Sequence, residues 1–235
     1  MRPRDISPPT IRFTAVSAGY DYNAVISNLS FSLLPGEGIC FVGSNGSGKT
    51  TILRATLGLC EILSGTIDHF GIDVSLISRD TLAKRGIAYV SQSRSLFPTL
   101  TVEENLRVAA LGLGRRLTKT SPLDTFRNFP AIAALRNRLA GHLSGGERTI
   151  VALARALVGR QELRCLLLDE VSAGLSVLNE KALLDVLMDL RSEGVSLLMA
   201  EQNVPFTQLL KIPLLRLPSK VSVLARSQQA LHDKV

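Results

Sequence analysis

Tryptophan is absent from these 235 residues, and aromatic residues make up only 5%. That scarcity argues against a single-stranded nucleic-acid surface, where bases stack on interleaved aromatic rings. Cysteine is nearly as rare. Cys40, Cys60 and Cys165 are widely spaced with no C-x-x-C pair, which gives a disulfide or metal role little support. Buried, reduced thiols are the expectation. The hydrophobic fraction of 46% is high, yet no run is long enough to span a bilayer. "MRPRDISPPT" has no apolar core of a signal peptide. A soluble, cytoplasmic chain is expected. Internal repeats and low-complexity tracts are missing too. Acidic residues are outnumbered 20 to 27 by Lys and Arg, giving a net charge of +7. The clusters Lys84-Arg85, Arg115-Arg116 and Arg136/Arg138 could serve an anionic surface or could simply be solvated.

What is present is organised as one large α/β domain. Residues 1–10 read as a loosely attached tail. From Ile11 to about Leu34 the pattern is strand-like with a turn at "YDYN", and "GICFV" is a short buried strand. "KTTILRATLG" reads as a helix ending at Gly58, and "GIAYVSQ" as another strand. "TVEENLRVAALGL" opens with a capping box at Thr101 and Glu104 and puts Val102, Leu106, Ala109, Ala110 and Leu113 on one face. Residues from about 93 to 160 read as helix or loop. "RCLLLDE" and "SLLMAE" return as continuous apolar strands, with a helix over Leu178–Arg191 between them. The expected division is a core over 11–92 and 161–235 carrying a helical subdomain over 93–160.

"GSNGSGKT", Gly43 to Thr50, fits G-x-x-x-x-G-K-[ST] with a strand running in and a helix running out. Gly43, Ser44, Asn45, Gly46, Ser47 and Gly48 would turn backbone N–H groups toward phosphate oxygens, at the positive end of the following helix. Lys49 supplies charge to the β/γ-phosphates, the Thr50 hydroxyl can ligate Mg²⁺, and Thr51 completes the loop's exit. A chance match to this spacing in such a chain is on the order of 1%, before its flanks are required. A P-loop site needs an acid at a neighbouring strand end. Asp169, after four apolar residues, is the candidate metal ligand, and Glu170 the candidate to polarise an attacking water.

"LSGGE" follows at Leu143–Glu147. Ser144 and Glu147 form a capping box, but Gly145 and Gly146 are poor helix formers and make sense where a ligand approaches backbone closely. One nucleotide rarely needs two anion sites on one chain, so the second is expected to serve a neighbour's ATP.

With "GSNGSGKTT", "LSGGE" and "LLLDE" in this order, residues 11–203 resemble the ATP-binding subunits of ABC transporters: a P-loop NTPase core with a mixed sheet and an inserted helical subdomain. The resemblance implies that two such domains pair head to tail, with ATP and Mg²⁺ held between Gly43–Thr51 of one and Ser144–Glu147 of the other. It implies that Tyr20 stacks on adenine, with Tyr22 a lesser candidate. It implies that Gln92 senses the γ-phosphate and Mg²⁺ beside the groove where a membrane permease docks. "VSQSRSLFPTLTVEENL", "SAGLS" and "AEQN" are similar to the ATPases of branched-chain amino-acid and urea importers. The resemblance places Gln202 where most of the ABC family carries a switch histidine, and that importer subgroup likewise has E-Q-N there. A glutamine amide donates to phosphate but does not shuttle protons at neutral pH, so Glu170 is expected to dominate the chemistry and Gln202 to position.

The partners so implied are permease subunits, a second ATPase subunit (identical or related) and, indirectly, a solute-binding protein. The implied location is the cytoplasmic face of the membrane, with nucleic acid not expected. Val171 stands where the family has proline, and Ser176-Val177 where it has Asp-Pro, which motivates an asymmetric pair or a low-turnover partner subunit. A soluble ABC-type ATPase acting on nucleic acid or ribosomes would suit the basic charge, but such relatives carry tandem domains or a long coiled-coil insert.

Overall fold

Strand β1 (Ile11–Tyr20) and strand β2 (Asn23–Leu33) form a hairpin closed by Asp21 and Tyr22, both with positive φ (49° and 59°). Two consecutive left-handed residues give the tight turn whose twist matches that of the strands. The computed structural model describes residues 8–91, 96–112, 130–158 and 162–217. The hairpin is joined by β4 (Glu61–His69) and β5 (Ile72–Asp73) into an antiparallel sheet ordered β2-β1-β4-β5. Gly65 sits where β4 crosses an irregularity in β1. A Cβ there would lie 2.4 Å from the carbonyl oxygens of Thr14 and Ala15, so only glycine fits.

The second sheet is parallel, ordered β6-β7-β8-β3-β9, from β3 (Gly38–Val42), β6 (Ile87–Val90), β7 (Cys165–Asp169), β8 (Ser196–Glu201) and β9 (Leu214–Arg216). Every residue of β3, β7 and β8 is buried, as their unbroken apolar runs require. Alternate residues face two cores. Leu166, Leu168, Leu197 and Met199 pack with the helical side, while Leu167, Leu198 and Phe41 pack with the antiparallel sheet. Phe13 stacks on Phe31 at 4.5 Å, and Phe31 meets Phe41 edge-on at 5.4 Å, joining the two sheets.

Helix α1 (Lys49–Thr56) inserts Ile52, Leu53 and Ala55 between the sheets. Its C-terminus closes as expected at Gly58 (φ 62°). The Leu59 N–H donates to the Arg54 carbonyl, and the Gly58 N–H to that of Ala55. A short α2 (Arg79–Lys84) precedes β6. Helix α3 (Val102–Gly112) is capped by Thr101 and Glu104 as expected and buries Val102, Leu106 and Ala110. Leu113 lies outside the described residues. A one-turn α4 (Pro130–Ala133) and α5 (Gly145–Ala156) follow. Apart from a single bridge, Thr101 to Leu139, the described residues between 96 and 158 are helix, turn or loop. Helix α6 (Val177–Ser192) covers the predicted span, and α7 (Val204–Leu209) stops after six residues, in keeping with Pro205 and Pro213 around it.

Three details depart from expectation. Strand β4 was not legible as one, because its first six residues are mostly exposed and show no alternation. The tail ends earlier than expected: Thr10 is buried, its N–H donating to the Leu33 carbonyl and its hydroxyl bonded to that of Ser196 at 2.9 Å. Two of the clustered basic residues have acidic partners. Arg136 pairs with Glu103, Arg138 lies 3.4 Å from Glu147, and Arg164 lies over the Phe70 ring. Arg115 and Arg116 lie outside the described residues. All three cysteines are free, with Cys40 and Cys165 buried as expected and Cys60 partly so.

His69, the last residue of β4, is fully buried, and neither ring nitrogen has a hydrogen-bond partner among the described residues. Burial lowers its pKa from 6.5 to about 4, with the backbone of Thr56 opposing in part. The folded chain therefore keeps His69 neutral where the unfolded chain takes up a proton. Its contribution to stability is complete above pH 6.5 and is lost as pH falls toward 4. Between about pH 7 and 5 the protein should lose about 2 kcal/mol more than a His69→Leu variant, measured by urea unfolding.

Candidate functional site

Val42 ends β3 in register with Glu201 of β8, and Asp169 ends β7 beside Ala200. Three parallel strands therefore deliver their C-terminal residues to one edge, where open α/β sheets hold ligands. The loop from β3 to α1 turns on Gly46 (φ 77°) and Gly48 (φ 97°), conformations closed to most side chains. Ser44, Asn45 and Gly46 are exposed, and nothing lies within 4 Å of a Cβ built on Gly46. Gly48 is the N-cap of α1, so the helix starts with no side-chain cap and no acid in its first turn. Its leading N–H groups lack intrahelical acceptors and need one from outside. An anion meets that need.

Lys49 is only 4% exposed. Its Nζ donates to the carbonyls of Gly43 (2.9 Å) and Ser44 (3.1 Å) and lies 3.4 Å from Glu170 Oε1. Thr50 Oγ1 donates to Asp169 Oδ1 at 2.9 Å, and the Tyr89 hydroxyl to Asp169 Oδ2 at 3.1 Å. Burial raises the Asp169 pKa above the usual aspartate range, and the two hydroxyl donors work against that rise. Ser47 and Thr51 are buried: the Ser47 hydroxyl sits against Gly43, and the Thr51 carbonyl accepts from the Cys60 thiol. Tyr20 is half-buried, its phenol oxygen accepting from Arg54 at 3.1 Å, whereas Tyr22 is 86% exposed at the hairpin tip. Gln92 lies outside the described residues.

Glu170 follows the strand end in a left-handed conformation (φ 52°). Gln202, the first residue past β8, donates from its amide nitrogen to Glu170 Oε1 at 3.1 Å and to Asn45 Oδ1. One NH₂ group thus spans the phosphate loop and the acid, a bridge that a carboxamide can make with its two hydrogens.

Ser144 caps α5 with its side chain accepting from the Glu147 N–H, while Glu147 Oε2 accepts from the Ser144 N–H at 2.7 Å. Leu143 and Gly146 are buried, but Ser144 and Gly145 are exposed, and a Cβ on Gly145 would meet nothing within 4 Å. Of the departures, Val171 is buried in the core, and Ser176 caps α6 by accepting from the Asn179 N–H. Val177 and Leu178 beside it are 85% and 76% exposed.

The ABC transporter family model matches residues 26–173. The chain belongs to that family. As an ABC protein it is an ATP-binding and ATP-hydrolysing transporter subunit. It is 35% identical over 195 residues to a probable branched-chain amino acid transport ATP-binding protein, LivF, of Archaeoglobus fulgidus, spanning 83% of this chain and 82% of that protein. It is 31% identical over 223 residues to the high-affinity branched-chain amino acid transport ATP-binding protein BraG of Pseudomonas aeruginosa, spanning 95% and 92%. Its fold matches a dimeric ATP-binding cassette in a post-hydrolysis state bound to ADP and Pi. The TM-score is 0.79 at 21% identity, over 90% of this chain and 95% of that one. The α/β P-loop core expected from the sequence is thereby established.

Two polar groups of this ABC site receive no role from the sequence alone. Tyr89 interrupts an apolar strand with a hydroxyl that reaches Asp169. Glu201, beside Gln202, is buried, and its carboxylate accepts from both the N–H and the hydroxyl of Ser172. Burial pushes its pKa up to about 7 against those two bonds. An ionisable residue inside an otherwise apolar strand was the available signal for it.

Proposed function

We propose that this subunit powers uptake of branched-chain amino acids or a related small polar solute, working in pairs on the cytoplasmic face of a membrane beneath permease subunits. The convergence of Lys49, Thr50, Asp169, Glu170 and Gln202 at three strand ends is the observation that carries the nucleotide chemistry. Gly43–Thr51 cradle the phosphates, Tyr20 meets the base, and Glu170 orients and deprotonates the attacking water. Gln202 holds Glu170 and the γ-phosphate side in place. Thr50 and Asp169, already one hydrogen bond apart, are a hard-oxygen pair suited to Mg²⁺, with Gln92 a further ligand. When bound, Mg²⁺ supplies charge neutralisation between the β- and γ-phosphates.

The exposed α5 tip at Ser144 and Gly145 supports the paired arrangement, because an uncovered helix start with bare N–H groups can serve a neighbour's nucleotide. A cleft of about 380 Å³ lined by Ala88, Tyr89, Val108, Ala109 and Leu163 is the proposed seat for a permease segment. No helix among the described residues is long and apolar enough to cross a membrane. The pair is of two copies or of one copy and a related ATPase. A Ser144→Arg variant should bind MgATP like the parent yet lose turnover by about tenfold or more when mixed with permease in membranes, since the substitution blocks only the neighbour's site. Parent-like turnover in that variant would overturn the paired reading.

A further inference from the structure

Glu170 holds a backbone conformation that costs an ordinary residue about 1–2 kcal/mol and persists only where its surroundings impose it. Two consecutive residues of β8 do so from either side. The Glu170 N–H donates to the Ala200 carbonyl at 2.8 Å, the last ladder bond between the strands. Two residues on, the chain has turned away from the sheet, and Ser172 is buried with no backbone acceptor for its N–H among the described residues. The side chain of Glu201 reaches across instead. Oε1 accepts from the Ser172 N–H at 3.0 Å, and Oε2 from the Ser172 hydroxyl at 2.9 Å. Glu201 is 1% exposed and Ser172 6% exposed, so water does not replace these bonds.

We infer that Glu201 is a positioning residue for hydrolysis, a buried strap that fixes the backbone leaving Glu170 to the strand that presents Gln202. The inference rests on the proposed role of Glu170. With the strap in place, the Glu170 carboxylate is held 3.4 Å from Lys49 and 3.1 Å from the Gln202 amide. Without it, residues 170–172 are released to a relaxed backbone and the carboxylate leaves that position. The phosphate loop hangs on β3 and α1 and keeps its shape, so nucleotide binding is spared.

The test is MgATP turnover and nucleotide affinity of Glu201→Ala, Glu201→Gln and Ser172→Ala, with thermal melts on each. Glu201→Ala should lower kcat about 10- to 100-fold, the scale of an ångström-sized misplacement, while ATP affinity stays within about twofold. Glu201→Gln should recover to within about threefold of the parent, because its carboxamide accepts from the Ser172 N–H and donates to the Ser172 oxygen. Ser172→Ala, keeping one bond of the two, should fall between them. Parent-like kcat in Glu201→Ala, an equal loss of affinity, or failure of Glu201→Gln to rescue would overturn the inference. Should Glu201→Ala not fold, Ser172→Ala decides: reduced kcat at unchanged affinity supports the strap, and parent-like kcat removes it. A parent protein that binds MgATP without hydrolysing it would overturn the role of Glu170 and this inference together, a result distinct from a variant that matches an active parent.

Discussion

Replacing Glu170 with glutamine should lower ATP turnover by about 10²–10³-fold while leaving MgATP binding within about threefold of the parent. The Glu170 carboxylate lies beside Lys49 and Gln202 and is free of the Thr50–Asp169 pair, whereas Glu201 is buried against Ser172. Asp169 is occupied by Thr50 and Tyr89, and Lys49 by the carbonyls of its own loop. Glutamine keeps the shape and the contact with Gln202 but cannot act as a base. Gln202→Ala should cost less, about tenfold, because its amide only holds Glu170 and Asn45. Single-turnover hydrolysis alongside nucleotide titration measures both. Equal and complete loss in the two variants, with ATP still bound, would mean that the amide is part of the chemistry and not only of the geometry.

Removing the Lys49 ammonium should act at the earlier step. A Lys49→Ala variant is expected to bind ATP about 100-fold more weakly, with turnover lost as a consequence. Lys49 Nζ is bound by two carbonyls at the loop's rim and lies against Glu170, so it is held at the loop before any phosphate arrives. Its charge is almost wholly shielded from solvent, where it acts on a phosphate more strongly than an exposed lysine would. Titration with a slowly hydrolysed ATP analogue checks the affinity. Parent-like affinity would show that the backbone N–H groups and the start of α1 suffice alone.

Much of this arrangement could be read directly from the chain because it depends on local chemistry. The glycine-rich loop, the cap at Ser144 and the apolar runs into Asp169 and Glu201 each carry their reason within a few residues. The antiparallel sheet was harder. Strand β4 exposes most of its first half, so the alternation that marks a half-buried strand is missing, and Gly65 looks like a turn residue until β1 is placed against it. Long-range polar pairs were invisible for another reason. Nothing near Ser172 in the sequence says that an acid 29 residues later will take its N–H, and nothing near Tyr89 points to a carboxylate 80 residues on. Gln202 was legible as a donor, but its bond to Asn45, 157 residues away, needed the folded sheet.

The order of strands in the parallel sheet has a consequence for how the protein is made. β3, which carries the phosphate loop, lies between β8 and β9 and pairs with no strand close to it in the chain. A growing polypeptide therefore emerges with its loop sequence early and its supporting strands last. Until β8 has left the ribosome, β3 has neither edge covered, and its second edge waits for Arg216; such distant pairings form slowly and leave apolar edges open meanwhile. Competence to hold nucleotide thus waits for β8 and β9, and a chain cut short after Asp169 would carry every phosphate-loop residue yet leave β3 with neither of its neighbouring strands.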